Sequence, residues 1–197
     1  MAQLPANQSF SITVFGSAPL QIMLDPTLLS ADVDLFSEFN DLEAYVEKAG
    51  LSQTTADFYI QVCSGLNFRT SPHWGTRTQQ FQIDNCTFVL PHPIDILIAK
   101  LNRLEEKDLE AFRVVREKTG HPTEQEMITE LQLAVDLFRP SFDEENTSDL
   151  LNNTRRLWPI LYGREIDPRA EIIAPALEIR RKGYDLPKRD YKRDLLD

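Results

Sequence analysis

The sequence predicts an α+β chain: a small mixed β-sheet with helices, followed by a C-terminal helical extension. Three observations carry this. The β-branched, alternating apolar runs all lie before Pro93. Short amphipathic segments separate the first of them, in the strand–helix order of a sheet covered by helices. From Pro93 onward every strong apolar period is helical.

In chain order, residues 1–9 read as a polar leader and Phe10 to Phe15 as the first strand. Ser17 to Leu24 is a short helix, since Pro19 is tolerated in a first turn. Asp25-Pro26 opens a turn, and Ala31 to Ser37 is the second strand. Asn40 or Asp41 caps a helix over Leu42–Lys48, which Gly50 ends. Phe58 to Cys63 is a third strand, which Asp57 can begin and Asn67–Arg69 continues past a turn at Ser64-Gly65. A loop over 70–77 leads to a hairpin of Thr78–Ile83 and Cys86–Leu90 around Asp84-Asn85. Ile94, Leu97, Ile98 and Leu101 then form one helical face, which Leu104, Leu109, Phe112 and Val115 prolong. Thr123 with Glu126 is a capping box that starts a helix to about Phe138. Pro140 and the stretch Asp143–Asp149 form a hinge or surface loop. Further helices cover Leu150–Tyr162 and Pro168–Arg181, and the doubly charged end from Lys188 frays. The chain divides into a core of residues 1–118 and an extension of residues 119–197.

Composition narrows the function. At 197 residues and 42% apolar content the chain can bury a sizeable core. Its net charge of −10 has the wrong sign for strong non-specific nucleic-acid binding, while a small substrate or a partner protein fits it. No charged-then-apolar leader and no long uncharged apolar run stands in the sequence, so the expectation is a cytoplasmic protein without a signal peptide or membrane span. Cys63 and Cys86 lie in strand-like runs without metal-ligand spacing; reduced core thiols are expected, with a disulfide between neighbouring strands as the alternative.

The chemistry concentrates where the first strand ends in Gly16-Ser17 and the second carries Asp32-Val33-Asp34. Residues i and i+2 of a strand share a face, so Asp32 and Asp34 point the same way and repel unless a cation lies between them. Mg²⁺ suits such a pair. Gly16 permits close backbone approach, and Ser17 can donate to a phosphate. A phosphate cradle beside a hard-cation site is the equipment of metal-assisted phosphoryl or nucleotidyl transfer. Plainer readings stand beside these: two solvated aspartates on an edge strand, and a strand-to-helix turn with serine as N-cap. Lys100, Arg103 and Lys107 fall at helical spacing, so an unbroken helix would put them on one stripe, aimed at a triphosphate or solvated among acids. Asp108 serves as an ion-pair partner for Lys107 or Arg77. Arg77, near Trp74, can stack on a base, reach a phosphate or lie exposed. His73, His92 and His121 show no ligand spacing and receive no role.

These residues form a pattern that resembles the minimal nucleotidyltransferases of the DNA polymerase β-like superfamily, and within them bacterial families related to the AbiEii toxins. One block is Gly16-Ser17 with Asp32-Val33-Asp34. The other is Pro93-Ile94-Asp95-Ile96-Leu97-Ile98-Ala99-Lys100-Leu101, then Arg103 and Lys107-Asp108, with Trp74-Gly75-Thr76-Arg77 between. The resemblance covers roughly residues 10–118. It implies Mg²⁺ at Asp32 and Asp34, an NTP held by Gly16, Ser17, Lys100, Arg77 and Lys107, and transfer of a nucleoside monophosphate to a hydroxyl of RNA or a protein. A toxin–antitoxin or defence setting with a cognate partner protein goes with it. Two departures stand out. The superfamily's third carboxylate, on a later strand, is missing from Phe58-Tyr59-Ile60-Gln61-Val62, where Gln61 takes its place unless Asp57 or Asp84 reaches the site. No arginine lies between Gly16 and Asp32. The alternative is therefore a decayed nucleotidyltransferase fold, acting as a nucleotide sensor or a protein-interaction module.

Overall fold

The computed structural model describes residues 8–26, 32–39, 41–53, 58–139 and 149–184. The sheet is built from β1 (Phe10–Val14), β2 (Asp32–Phe36), β3 (Tyr59–Val62), β4 (Gln79–Ile83) and β5 (Cys86–Leu90), in the order β3-β2-β1-β5-β4. β1 runs antiparallel to β2 and parallel to β5, β2 runs parallel to β3, and β4 closes the hairpin with β5. The sheet is mixed, and helices dominate the C-terminal half, as the sequence predicts.

Alternation on β1 buries Phe10, Ile12 and Val14 against Leu35, Cys86, Leu90 and the face of α2 (Leu42–Lys48) that carries Leu42 and Val46. A second core gathers around α3 (Pro93–Leu101) and α4 (Glu106–Thr119). Into it pack α1 (Ala18–Met23), α5 (Glu124–Leu133) and α6 (Leu150–Tyr162), with Leu20, Leu97, Phe112, Met127, Leu157 and Trp158 fully enclosed. A π-helical turn at Arg169–Ile173 leads into α7 (Ala174–Tyr184). Leu20, near the end of β1, joins the core of the helices, so the β1–α1 turn lies where the two cores meet.

Several local expectations change. Asn67–Arg69 does not continue β3; Ser64 caps a 3₁₀ turn at Gly65–Asn67 by accepting the Leu66 N–H. Trp74–Thr76 is also a 3₁₀ turn. α5 stops at Leu133, and a 3₁₀ turn covers Val135–Phe138. The long helix from Pro93 breaks: α3 ends at Leu101, Leu104 has φ +41°, and Glu105 caps α4. The stripe of Lys100, Arg103 and Lys107 is thereby dispersed. His92 caps α3, its Nδ1 accepting the Ile94 N–H. Asp41 occupies the N-cap of α2 without a side-chain bond. Cys63 and Cys86 are free thiols. The leader up to residue 7, Ala31, Asn40, Asp57, the stretch 140–148 and the end from 185 lie outside the described residues.

Candidate active site

β1 and β2 meet where the chain turns from Val14 into α1. The Phe15 N–H donates to the Asp34 carbonyl at 2.7 Å, bringing the turn alongside the second aspartate. Gly16 has φ +66°, and a Cβ placed on it would lie 2.6 Å from Asp34 Oδ2, so only glycine lets the carboxylate lean over the backbone here. Beneath the turn, Phe15 stacks on Phe68 at 4.5 Å, with the Trp74 ring edge-on to both. Trp74 is thus a brace for the turn.

Ser17 occupies the N-cap of α1, but its hydroxyl caps nothing. Instead Lys100 Nζ donates to Ser17 Oγ at 2.8 Å. The ammonium also bonds Asp108 Oδ1 at 2.7 Å, with Lys100 6% exposed and Asp108 fully buried. Asp108 pairs with Lys100 and, at 3.4 Å, with Arg103, and not with Lys107 or Arg77. Burial opposes ionisation of Asp108, but Lys100, the Glu105 N–H and Arg103 outweigh it and hold the carboxyl below its ordinary pKa.

Asp34 shows the opposite balance. Burial raises its pKa and neighbouring Asp32 raises it further, while the Cys63 thiol, Arg103 and Lys100 pull it down without prevailing. Cys63 Sγ donates to Asp34 Oδ1 at 3.5 Å, and burial with Asp34 nearby pushes its own pKa up to about 11. The sequence marks Cys63 only as a core thiol and not as a neighbour of Asp34, although it lies two residues beyond Gln61 and so projects to the same face. The register pairs Asp34 with Gln61, so the residue beside Asp34 on the neighbouring strand is a neutral amide. Asp84 is at the far end of the sheet: Asn85 accepts the N–H of Phe10, where β1 begins.

Two expected nucleotide ligands are engaged elsewhere. Arg77 donates to both Asp95 oxygens at 2.7 Å and to Glu130 Oε2 at 2.8 Å, a pairing made of fully buried Asp95 and an acid on α5. Lys107 Nζ meets Glu105 at 3.1 Å on the surface, because the break after α3 turns it away from Lys100. Gly16, Ser17, Asp34 and Lys100 do come together, with Asp32 close enough to act on Asp34.

The donor set fits a hard divalent cation. Two carboxylates that repel each other offer oxygen ligands. Mg²⁺ commonly binds through one or two carboxylates, with waters and substrate phosphates completing its shell.

A family model described as nucleotidyltransferase of unknown function (DUF6036) matches residues 1–155. The match takes in the sheet, α1–α5 and the start of α6. No curated protein and no solved structure matches the chain. Among the described residues no helix is long and apolar enough to cross a membrane.

Proposed function

The chain belongs to this family of nucleotidyltransferases, and from that premise we propose that it moves a nucleoside monophosphate from an NTP to a hydroxyl of an RNA or protein acceptor. The observation that carries the reading is the meeting of three separate segments: the Asp34 carboxylate leans over Gly16 while Lys100 holds Ser17 of the same turn.

Asp32 and Asp34 would hold Mg²⁺, which when bound offsets charge developing on the transferred phosphorus. Because Lys100 donates to Ser17 Oγ, the serine's own O–H points away from the lysine and is available to a phosphate oxygen. Buried Asp108 holds the Lys100 ammonium in place at 2.7 Å, so the cradle is formed before substrate arrives. Arg103, 56% exposed and held only loosely by Asp108 and Glu105, is placed to add a second positive charge. In the reaction the acceptor oxygen bonds to the α-phosphorus, the bond from that phosphorus to the bridging oxygen breaks, and pyrophosphate leaves. Gln61 cannot take the acceptor's proton, so this goes to water or to a group of the acceptor.

The test is a thermal-shift screen of the four NTPs with and without Mg²⁺, on wild type and Asp32→Ala/Asp34→Ala. A ligand at about a hundred times its Kd adds roughly 2.7 kcal/mol, several degrees for a chain of this size. A metal-dependent shift lost in the variant is expected; no shift with any NTP sinks the proposal. A second reading, a nucleotide sensor without turnover, draws on Gln61 beside Asp34. Binding without pyrophosphate release would favour it. The resemblance drawn from the sequence to families related to the AbiEii toxins would extend the enzyme reading to a defence role, tested by whether expression arrests growth and Asp34→Ala relieves the arrest.

A further inference from the structure

Among the described residues, Arg69 carries the one buried side-chain polar atom that finds no hydrogen-bond partner. Arg77 is matched by Asp95 and Glu130, Arg156 by Glu106, Arg164 by Glu124 and Glu171, and Arg180 by Asp136. Arg69 has no ion pair among the described residues, and its Nη1 is enclosed without a hydrogen-bond partner there. Acids are not scarce, with 31 against 21 basic residues. A buried, unsatisfied N–H on a cation is costly, and such a group in a native fold calls for an acceptor, of which an anion bonds a guanidinium most strongly.

Its position says which anion. Phe68, the preceding residue, stacks on Phe15, which leads directly into Gly16. The Arg69 carbonyl accepts from Asn102 Nδ2 at 2.9 Å, and Asn102 lies between Lys100 and Arg103. Thr70 is tied to Asp95 on α3, its hydroxyl donating to the backbone carbonyl at 2.7 Å. The Arg69 backbone is therefore clamped between the Gly16 turn and the end of α3, the two pieces that form the phosphate cradle. Guanidinium suits phosphate because its planar fork can donate two parallel hydrogen bonds.

We propose that Arg69 is a phosphate-binding residue of this site, taking the terminal phosphates of the donor's triphosphate alongside Lys100 and Ser17. The assignment rests on the nucleotidyltransferase reading above and names a ligand which that reading lacks. It also gives the enclosed Arg69 Nη1 an acceptor that it lacks among the described residues.

The experiment is calorimetric titration with inorganic tripolyphosphate, without metal, on wild type, Arg69→Lys and Arg69→Met, with the melting temperature of each ligand-free protein. Arg69→Met should weaken tripolyphosphate binding roughly ten- to a hundred-fold, as loss of charge-assisted hydrogen bonds does. Arg69→Lys should fall between. The ligand-free melting temperature of Arg69→Met should be unchanged or higher, since methionine fills the stem's space and removes an unpaired charge. Unchanged affinity in Arg69→Met, no binding to wild type, or a lower ligand-free melting temperature with affinity intact would each overturn the assignment. The Mg²⁺-dependent NTP shift that requires Asp32 and Asp34 is read separately. If it survives while tripolyphosphate affinity ignores Arg69, only the arginine's role is lost.

Discussion

At Asp34, burial and repulsion from Asp32 together favour the protonated carboxyl, against one weak thiol donor and two cations. An aspartate with its pKa raised on folding binds a proton more tightly in the folded chain. Its ionised form therefore costs stability, and the cost grows as pH rises from the ordinary value of 3.8 through the raised folded value. Asp34→Asn removes that cost and keeps an oxygen to accept from Cys63. At neutral pH and without metal the variant should melt a few degrees above wild type, a gain typical of relieving a destabilised functional site. The gap should close as the pH falls toward 3.8, where wild type becomes neutral too. Melting curves from pH 4 to 8 check this, and a gap of constant size, or none, refutes it. Mg²⁺ should raise the wild-type curve alone.

Among the elements, the joint between α3 and α4 matters most. Asp108 accepts from Lys100 at 2.7 Å and, as the third residue of α4, from the Glu105 N–H at 3.0 Å, so one carboxylate both caps a helix and anchors the cradle lysine. Lys100→Met would leave Asp108 buried without its main partner, at a cost of about 3–5 kcal/mol. Lys100→Met/Asp108→Leu should lose less than the sum of the two single changes, because it leaves no orphaned charge. Urea denaturation of the four proteins measures the coupling; additive costs would show that the pair does not act as a unit. This joint is also where the sequence was hardest to read. Pro93 and the spacing of Ile94, Leu97, Ile98 and Leu101 announced α3, and Thr123 with Glu126 announced α5. Nothing comparable marked the start of α4: Glu105 is an uncommon N-cap, and Leu104 continues the apolar spacing although its positive φ ends the helix. The Gly16–Asp34 pairing was legible because strand alternation and a glycine at a strand end are local signals. Arg77 was not, since its partners Asp95 and Glu130 are distant in sequence.

For the molecule as a whole, those partners decide how the helical half is tied to the sheet. Arg77 leads into β4, Asp95 lies in the first turn of α3 and Glu130 on α5, so one guanidinium joins a sheet-side loop to two helices. The Arg77 hydrogen bond holds Glu130 below its ordinary pKa against burial, so this linkage persists at pH values where a free glutamate is already protonated. α5 and α6 share the second core with α1, which begins at the cradle's Ser17, so loosening the helices loosens the turn that bears the site. Arg77→Met should therefore cost about 3–5 kcal/mol, mainly by leaving fully buried Asp95 uncompensated. Arg77→Met/Asp95→Asn should recover part of that loss. Below the variants' melting temperatures, Mg²⁺–NTP affinity should remain within about twofold of wild type, because the Arg77 guanidinium is already held by two carboxylates. An affinity loss of tenfold or more in folded Arg77→Met, about 1.4 kcal/mol, would instead return Arg77 to the nucleotide site. Urea denaturation and calorimetry on the same samples separate the two outcomes, because a structural tie moves the first measurement and a ligand contact moves the second.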